Sequence, residues 1–402
     1  MLNSRIFTKM RVYLDYNATT PVDPEVLQAM LPYLGETYGN AGSIHSAGQR
    51  ARGAVDAARE SVAKLVGAKA GEMVFTSGGT EADNLAIFGV VGASQAGRKH
   101  VITTGIEHHA VLESCEVLAA QGVSVTFVPV DASGVVDPDA VKAALRPETV
   151  LISVMRANNE TGAIQPVEEI GRIAAEADVL FHSDAVQSAG KLPLDVNSLG
   201  VDLLSISAHK FYGPKGVGAL YVRSGTAIEP LFYGGHAERD HRAGTENVPG
   251  IVGMGKAAEL GRARLAEDNA RIAEFRDRFE ARVLERVSGA RVNGDTQRRV
   301  ANTSSLMFSG ASGEALLISL DLQGIACSTG AACSSGSTEP SHVLKAMGLS
   351  DEDARSTLRF SLGTPTTQEE IDYALGVIPG IVERIRALSP RFSETQPRAA
   401  VR

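Results

Sequence analysis

Tryptophan is absent from this 402-residue chain, aromatic residues amount to only 5%, and there are just three cysteines. An odd set (Cys115, Cys327 and Cys333) without the spacing of a secreted disulfide framework indicates a reducing compartment, so a cytoplasmic protein is expected. No apolar run approaches the roughly 20 residues that a membrane-crossing helix needs. The opening MLNSRIFTKMR has scattered basic residues but no apolar stretch or small-residue cleavage site, which argues against a secretory signal. It reads as a short extension, with Met10, just before the strand-like VYLDY, as an alternative start. Positive charge is also short. The 39 Lys and Arg against 47 Asp and Glu give a net charge of −8, which leaves no electrostatic footprint for nucleic acid or an anionic membrane. Chemistry on small molecules is the class that remains.

What the sequence does have is glycine, 41 residues of it, punctuating an alternation of β-branched runs and helical stretches. EMVFTSG, HVITTG, VSVTFVPV, TVLISVM, DVLFHSD and VDLLSIS read as strands. AGQRARGAVDAARESVAKLVG typifies the helices, with Val55, Val62, Leu65 and Val66 on one face and Glu60 four residues before Lys64. Such alternation builds βαβ units, so the expected fold is α/β, with a mostly parallel sheet covered by helices. From about residue 255 to 287 an amphipathic stretch carries Ile272, Phe275, Phe279 and Val283 at helical spacing, and strands are sparser beyond it (TSSLMFS, TLRFSLG). The expected organisation is a large domain over residues 16–258 and a smaller α+β domain formed by 1–15 and 259–402. The smaller one would carry a mobile Ser/Gly-rich loop at about 325–340. The polar tail SPRFSETQPRAAVR is expected to fray.

Several residues could carry chemistry. Lys210, in SISAHKFYGPKGVG, follows a strand. A lysine with the ordinary pKa of about 10.4 is a solvated cation, and near a turn that is the commoner case. Desolvated among Ser207 and His209 at a strand's carboxyl end, it becomes an amine nucleophile. TSGGTEADN (76–84) follows EMVF and opens a helix, so Gly78, Gly79 and Thr80 could offer backbone N–H groups and the helix dipole to a phosphate. A plain helix cap by Thr80 explains the motif equally well, and dinucleotide or P-loop spacing is not met. Asp184 ends an apolar strand 26 residues before Lys210, where it could pair with a protonated pyridine nitrogen or cap the next helix.

His108 and His109, in GIEHHAV, do not form a zinc-ligand spacing with Cys115; stacking of one imidazole on a cofactor ring, or acid–base work, suits them better. Asn159, in MRANNETG, supplies a neutral donor to the same sheet edge. Cys333 sits among Ser, Gly and Ala in ACSTGAACSSGSTEPSHVL, a setting that should be mobile and exposed. Cys115 fits a buried helix face, and Cys327 fits core packing or a strand end. Arg359, in STLRFSLG, could fork onto a substrate carboxylate or form a surface ion pair.

Together and in this order, these residues resemble the cysteine desulfurases, pyridoxal-phosphate (PLP) enzymes of fold type I in the class V aminotransferase group. The likeness is to the branch that supplies sulfur for iron–sulfur clusters and nitrogenase. It runs from YLDYNATTPVDPEV at residue 13 to about Arg386 and rests on GNAGSIHSAG, TSGGTEADN, EHHAVLES, NNETGAIQPV, DAVQSAGKLPLD, SAHKFYGPKGVG, RAGTENV and ACSSGSTEPSHVL. The resemblance implies that Lys210 holds PLP as a Schiff base and that Asp184 pairs with the pyridine nitrogen. His108 would stack on the ring, with Asn159 and Gln187 near its phenolic oxygen and Asn159 also near the substrate. Gly79, Thr80, Ser207 and His209 would bind the phosphate. Thr245 would reach the phosphate of a neighbouring subunit, which implies a homodimer. Cys333 matches the nucleophilic cysteine and Arg359 the arginine for the substrate carboxylate. No metal is required, although Cys333 could transiently ligate an iron–sulfur cluster. The chain departs from the frequent pattern at Ala237 (often Gln), at Asp240 (often Gly) and at Thr364-Pro365, where Arg-Phe is frequent; Cys327 is not a family requirement.

The implied reaction takes sulfur from L-cysteine, yields L-alanine and leaves a persulfide on Cys333, with Lys210 and His108 moving protons. The sulfur would pass to an acceptor or iron–sulfur scaffold protein, for cluster assembly, thio-cofactor synthesis or tRNA thiolation. A selenocysteine lyase or a class V aminotransferase would share Lys210 and Asp184 without needing a cysteine in a mobile loop. A non-catalytic sulfur-relay partner would have no need of Lys210, Asp184, Cys333 and Arg359 together.

Overall fold

The β-branched runs become strands because such side chains pack well on a pleated surface that is buried on both sides. In the computed structural model, which describes residues 10–94, 99–330 and 339–388, the strands are β1 (Val12–Tyr13), β2 (Met73–Thr76), β3 (His100–Thr104), β4 (Ser124–Val128), β5 (Thr149–Ser153) and β6 (Leu180–Asp184). They continue with β7 (Leu203–Ser207), β8 (Gly218–Val222), β9 (Ala290–Asn293), β10 (Thr303–Phe308), β11 (Ile325–Ala326) and β12 (Thr357–Ser361). Seven strands form one sheet in the order β2-β8-β7-β6-β5-β3-β4. From β4 to β7 all neighbours are parallel, while β8 runs antiparallel to both β7 and β2. This is the mostly parallel α/β sheet that the strand–helix alternation predicts.

Successive residues on each strand feed opposite layers. Phe75, Ile102, Ile152, Phe181 and Leu204 pack in one core with Val55, Val62 and Val66 of helix α2 (Ser46–Val66). Their neighbours Val74, Val101, Leu151 and Leu203 pack in another with helices α3 (Gly79–Ala93) and α4 (His109–Ala120). Each fully buried side chain of this size contributes about 1.5–3 kcal/mol relative to exposure. The α2 face expected from the sequence is the one buried, and the helix ends on Gly67 at φ 69°, a left-handed cap that favours glycine.

The chain divides into two units. One, Thr19–Asn159 with Ala163–Glu267, contains the seven-stranded sheet. The other, Met1–Ala18 with Glu160–Gly162 and Asp268–Arg402, contains the antiparallel sheet β12-β10-β9 and the parallel pair β1-β11. Its core holds Phe279, Leu306, Phe308, Leu358 and Phe360. The amphipathic stretch begins earlier than its periodicity suggests, as a helix over Val248–Arg286. No described helix is long and apolar enough to cross a membrane.

Candidate active site

In an open parallel sheet, ligands bind beyond the carboxyl ends of the strands, beside the point where strand order reverses. Here the chain places β4 on one side of β3 and β5 on the other. The segments leaving β3, β5, β6 and β7 bring His108, Asn159, Asp184 and Lys210 to that edge.

Lys210 closes a single 3-10 turn, Ala208–Lys210, directly after β7. Asp184 ends β6 at 5% exposure, and its Oδ1 accepts a hydrogen bond from the Val186 N–H at 2.8 Å. It is not a helix cap: the next helix, Val196–Leu199, is capped by Asp195. Burial pushes the Asp184 carboxyl up to about 6, opposed by the Val186 N–H and the positive charge of Lys210. A buried carboxyl of this kind ionises most readily when a cation is brought to it, which suits a protonated pyridine nitrogen.

The glycine turn is built for close approach. Helix α3 has Gly78 as its N-cap with no side-chain cap bond, so the Thr80-cap alternative does not hold. A Cβ on Gly79 would lie 2.8 Å from Val186 Cγ2, and one on Gly218 would lie 2.7 Å from both the Gly78 carbonyl carbon and the Ile206 oxygen. Both glycines therefore let the turn settle against β8 and the end of β7. The acidic residue of the first turn, Glu81, is occupied elsewhere, accepting from Ser77 N–H at 2.7 Å and from Arg242 Nε at 2.9 Å. Backbone N–H groups at a helix start, with Ser207 at the end of β7 and His209 in the turn after it, make a donor set for a phosphate. The residues present thus fit a phosphorylated pyridine such as PLP.

His209 Nδ1 lies 3.1 Å from Thr19 Oγ1, and burial, helped by Lys210, Lys215 and Lys191, lowers its pKa to about 4. It is a neutral imidazole at physiological pH. His108 caps α4, its Nδ1 accepting from the Ala110 N–H at 3.1 Å, which fixes the ring and leaves the neutral form's proton on Nε2. Gln187 is buried, and its Oε1 accepts from Lys191 Nζ at 2.8 Å. Thr245 is exposed and lines a cavity of about 220 Å³ with Thr76, Ser77 and Arg242.

Two expected residues are not among those the structure brings to this edge. Cys333 lies outside the described residues. Arg359 belongs to the other unit, on β12, where it is buried and donates from Nη2 to Asp15 Oδ1 at 2.8 Å, so it is no surface ion pair. Cys115 and Cys327 are buried as expected; burial raises both thiols, Cys115 to about 12. Among the described residues no cluster of His, Cys, Asp and Glu could hold a metal. The departures at Ala237 and Asp240 are the first and last residues of a turn, Ala237–Asp240, in which Glu238, Arg239 and Asp240 are left-handed (φ 46°, 54° and 67°). A buried pair holds it, with Arg59 forking onto both Glu238 oxygens at 2.6 and 2.7 Å. The Thr364 carbonyl accepts from Arg271 Nη2.

Sequence reasoning missed a buried polar strip beside Asp184. His182, two residues earlier on β6 and so on the same face, has Nδ1 2.9 Å from Ser153 Oγ and Nε2 3.0 Å from Ser205 Oγ, and Asp83 Oδ1 lies 3.6 Å from Nε2. Glu107, fully buried, accepts from the Thr104 hydroxyl at 2.6 Å and from the Met155 N–H at 3.0 Å. Burial holds Asp83 well above the usual carboxylate range, raises Glu107 to about 8 and lowers His182 to about 3. The i, i+2 placement of His182 and Asp184 was the one signal available.

A pH prediction follows. Between its unfolded value of 4.5 and about 8, folded Glu107 keeps a proton that the unfolded chain releases, so stability falls as pH rises through that window. His182 and His209 act in the opposite sense, but only below their unfolded value of 6.5. From pH 6.5 to 8 the cofactor-free protein should therefore lose stability, with Glu107 contributing up to about 1.4 kcal/mol per pH unit. Urea midpoints across this range should drop in the parent, and Glu107→Gln should flatten the slope. An unchanged slope in the variant would assign the titration to another group.

The family model for class V aminotransferases matches residues 12–374. The chain is 52% identical over 386 residues to cysteine desulfurase IscS of Dictyoglomus turgidum, covering 96% of this chain and 98% of that one. Its identity to cysteine desulfurase IscS of Methanosarcina thermophila is 50% over 379 residues, 94% of each chain. Among solved structures, a NifS-like protein matches with a TM-score of 0.88 at 40% identity, over 93% of this chain and 100% of the other. SspA in complex with cysteine matches with a TM-score of 0.80 at 38% identity, over 89% and 100% respectively.

Proposed function

The chain belongs to the cysteine desulfurases of the class V aminotransferase family, and from that premise we propose that it holds PLP at the carboxyl edge of its large sheet and moves sulfur from L-cysteine onto Cys333. The observation that carries the cofactor assignment is Asp184, a buried carboxyl near the charge of Lys210, on the sheet edge where α3 starts without a side-chain cap.

PLP, when bound, supplies an acceptor for the electrons released at the α-carbon of an amino acid. Asp184 would hold a proton on the ring nitrogen. The N–H groups of Gly79 and Thr80, with Ser207 and His209, would hold the phosphate, and Thr245 of a second copy would complete that site. His108 would support the ring, and Asn159 and Gln187 would serve its phenolic oxygen. Lys210 would anchor the cofactor and then move a proton at Nζ, assisted by His108. Arg359 grips the substrate carboxylate with a planar fork. The Cys333 thiolate attacks the substrate sulfur: an S–S bond forms, the C–S bond breaks with its electron pair staying on carbon, and protonation there gives L-alanine.

The homodimer is supported by apolar surface on the sheet unit. Leu27, Leu31 and Leu34 are exposed along the helix Pro24–Leu34, with Tyr38, Ile44, Phe232 and Tyr233 also exposed, and a second copy seated on them would take this apolar surface out of water. Delivery of the persulfide to an iron–sulfur scaffold or other acceptor protein in the cytoplasm completes the reading; the relatives' names carry its first step, the desulfuration of cysteine. The purified protein given L-cysteine and a thiol reductant should produce alanine and sulfide in equal amounts. Transamination without alanine would replace the reading with an aminotransferase, and a fully active monomer in sedimentation would remove the shared phosphate site.

A further inference from the structure

The polar strip beside Asp184 has no part in the mechanism above, yet it is built around that residue. His182 lies on β6 two residues before Asp184 and on the same face. Ser153 of β5 and Ser205 of β7 flank it, their hydroxyl oxygens 2.9 Å from Nδ1 and 3.0 Å from Nε2. The imidazole thus braces the three strands β5, β6 and β7 against one another. Ser205 is the register partner of Asp184 on the neighbouring strand, so one end of the brace stands next to the carboxylate. Asp83 closes the strip from the helix side. It lies on α3, one turn after Gly79, with Oδ1 3.6 Å from His182 Nε2. Asp83, Ser153, His182 and Ser205 are all buried.

A charged imidazolium here would draw negative charge into the strip. His182 is instead enclosed and engaged at both nitrogens by neutral hydroxyls, and burial lowers its pKa to about 3, so the ring is neutral. The approach of Asp83 is then a contact and not an ion pair. Two buried carboxyls that feel one another do not both ionise readily, and their surroundings decide which one does. Burial raises both. At Asp184 the Val186 N–H and the charge of Lys210 oppose it. At Asp83 the influence of Asp184 and Glu107 adds to it, against the Ser205 hydroxyl. We propose that His182 is a positioning residue for Asp184. With Ser205 and Asp83 it forms a neutral layer beside the carboxylate, which keeps the negative charge on Asp184 and hence the proton on the ring nitrogen of the cofactor. The inference deepens the function proposed above and rests on it.

The test uses the full chain loaded with PLP isotopically labelled at its ring nitrogen, whose NMR shift reports whether that nitrogen carries a proton. The variants are His182→Leu, His182→Gln, Ser205→Ala and Asp83→Asn. In the parent the ring nitrogen should be protonated. In His182→Leu its shift should move toward that of an unprotonated pyridine, and the spectral response to L-cysteine should slow about 10-fold, the equivalent of one pKa unit at that nitrogen. His182→Gln, whose amide still donates toward Ser205, should restore most of both, and Ser205→Ala should fall between. Asp83→Asn should keep the parent's ring-nitrogen shift, because an amide is as neutral as a protonated carboxyl. In the cofactor-free protein the same substitution should remove an infrared carbonyl band of a protonated acid. Parent shifts in both His182→Leu and Ser205→Ala would overturn the proposal, even with lowered urea midpoints, because the strip would then serve stability alone. A shift displaced by Asp83→Asn, or an infrared spectrum unchanged by it, would overturn it as well, since Asp83 would then carry charge. Should His182→Leu not fold, Ser205→Ala carries the comparison with the imidazole still in place. A parent that binds no PLP would instead fail the function proposed above, while the infrared band would still decide the state of Asp83.

Discussion

With Lys210 replaced by alanine, turnover of L-cysteine is expected to fall by at least about 10³-fold, at the upper end of what a lost proton-transfer group costs, because a covalent anchor goes with it. The visible absorbance of lysine-bound PLP should disappear, together with its sensitivity to borohydride. Lys210 sits on a tight turn after β7, with Asp184 close enough for the two charges to influence one another. Neither neighbouring lysine is a ready substitute: Lys191 Nζ donates to Gln187, and Lys215 lies beyond the turn at 211–212. A small primary amine added to the variant should restore part of the turnover by standing in for the missing Nζ. An unchanged, borohydride-sensitive colour in Lys210→Ala would move the anchor to another lysine.

How much of this was legible beforehand depended on the distance over which a residue finds its partners. The parallel strands β3 to β7 could be read because each belongs to a short apolar or β-branched run between helical stretches, and a βαβ alternation puts the residues that follow such strands at the sheet's carboxyl edge. β8 was not read. Its sequence GALYV opens on Gly218, a residue that reads as loop but is needed so that the turn at Gly78 can lie against the strand. Local motifs also left the ambiguity at the glycine turn, and only the geometry separates a Gly78 cap from a Thr80 cap.

Buried charge was the hardest to see. Asp83, Glu107 and Glu160 look like solvent-facing acids in a linear reading, since carboxylates rarely lie fully inside. Glu160 meets Ser341 across 181 residues of sequence and Glu238 meets Arg59 across 179, so no spacing rule could have paired them. Arg359 was legible as a candidate but not as a buried one, because its partner Asp15 is 344 residues away.

Cys333→Ser should abolish persulfide formation and reduce sulfide release by at least about 10³-fold, while leaving PLP binding intact. The thiolate is the nucleophile, and even at a few per cent of the thiol at pH 7 it far exceeds a serine hydroxyl, which stays protonated. The other cysteines cannot take over: Cys115 and Cys327 are both buried with thiols raised above the ordinary range, Cys115 to about 12. Alanine substitutions at those two positions should therefore leave turnover near that of the parent, and peptide mapping after one turnover should find the added sulfur on Cys333 alone. The residues assigned to the cofactor lie in the sheet unit and are unchanged in Cys333→Ser, so the visible spectrum and its response to L-cysteine should persist. That combination, substrate accepted but sulfur not taken, separates a nucleophilic role from a structural one. Alanine and sulfide released at the parent rate from Cys333→Ser would mean that sulfur leaves without a protein acceptor, and the enzyme would then be a lyase rather than a sulfur carrier.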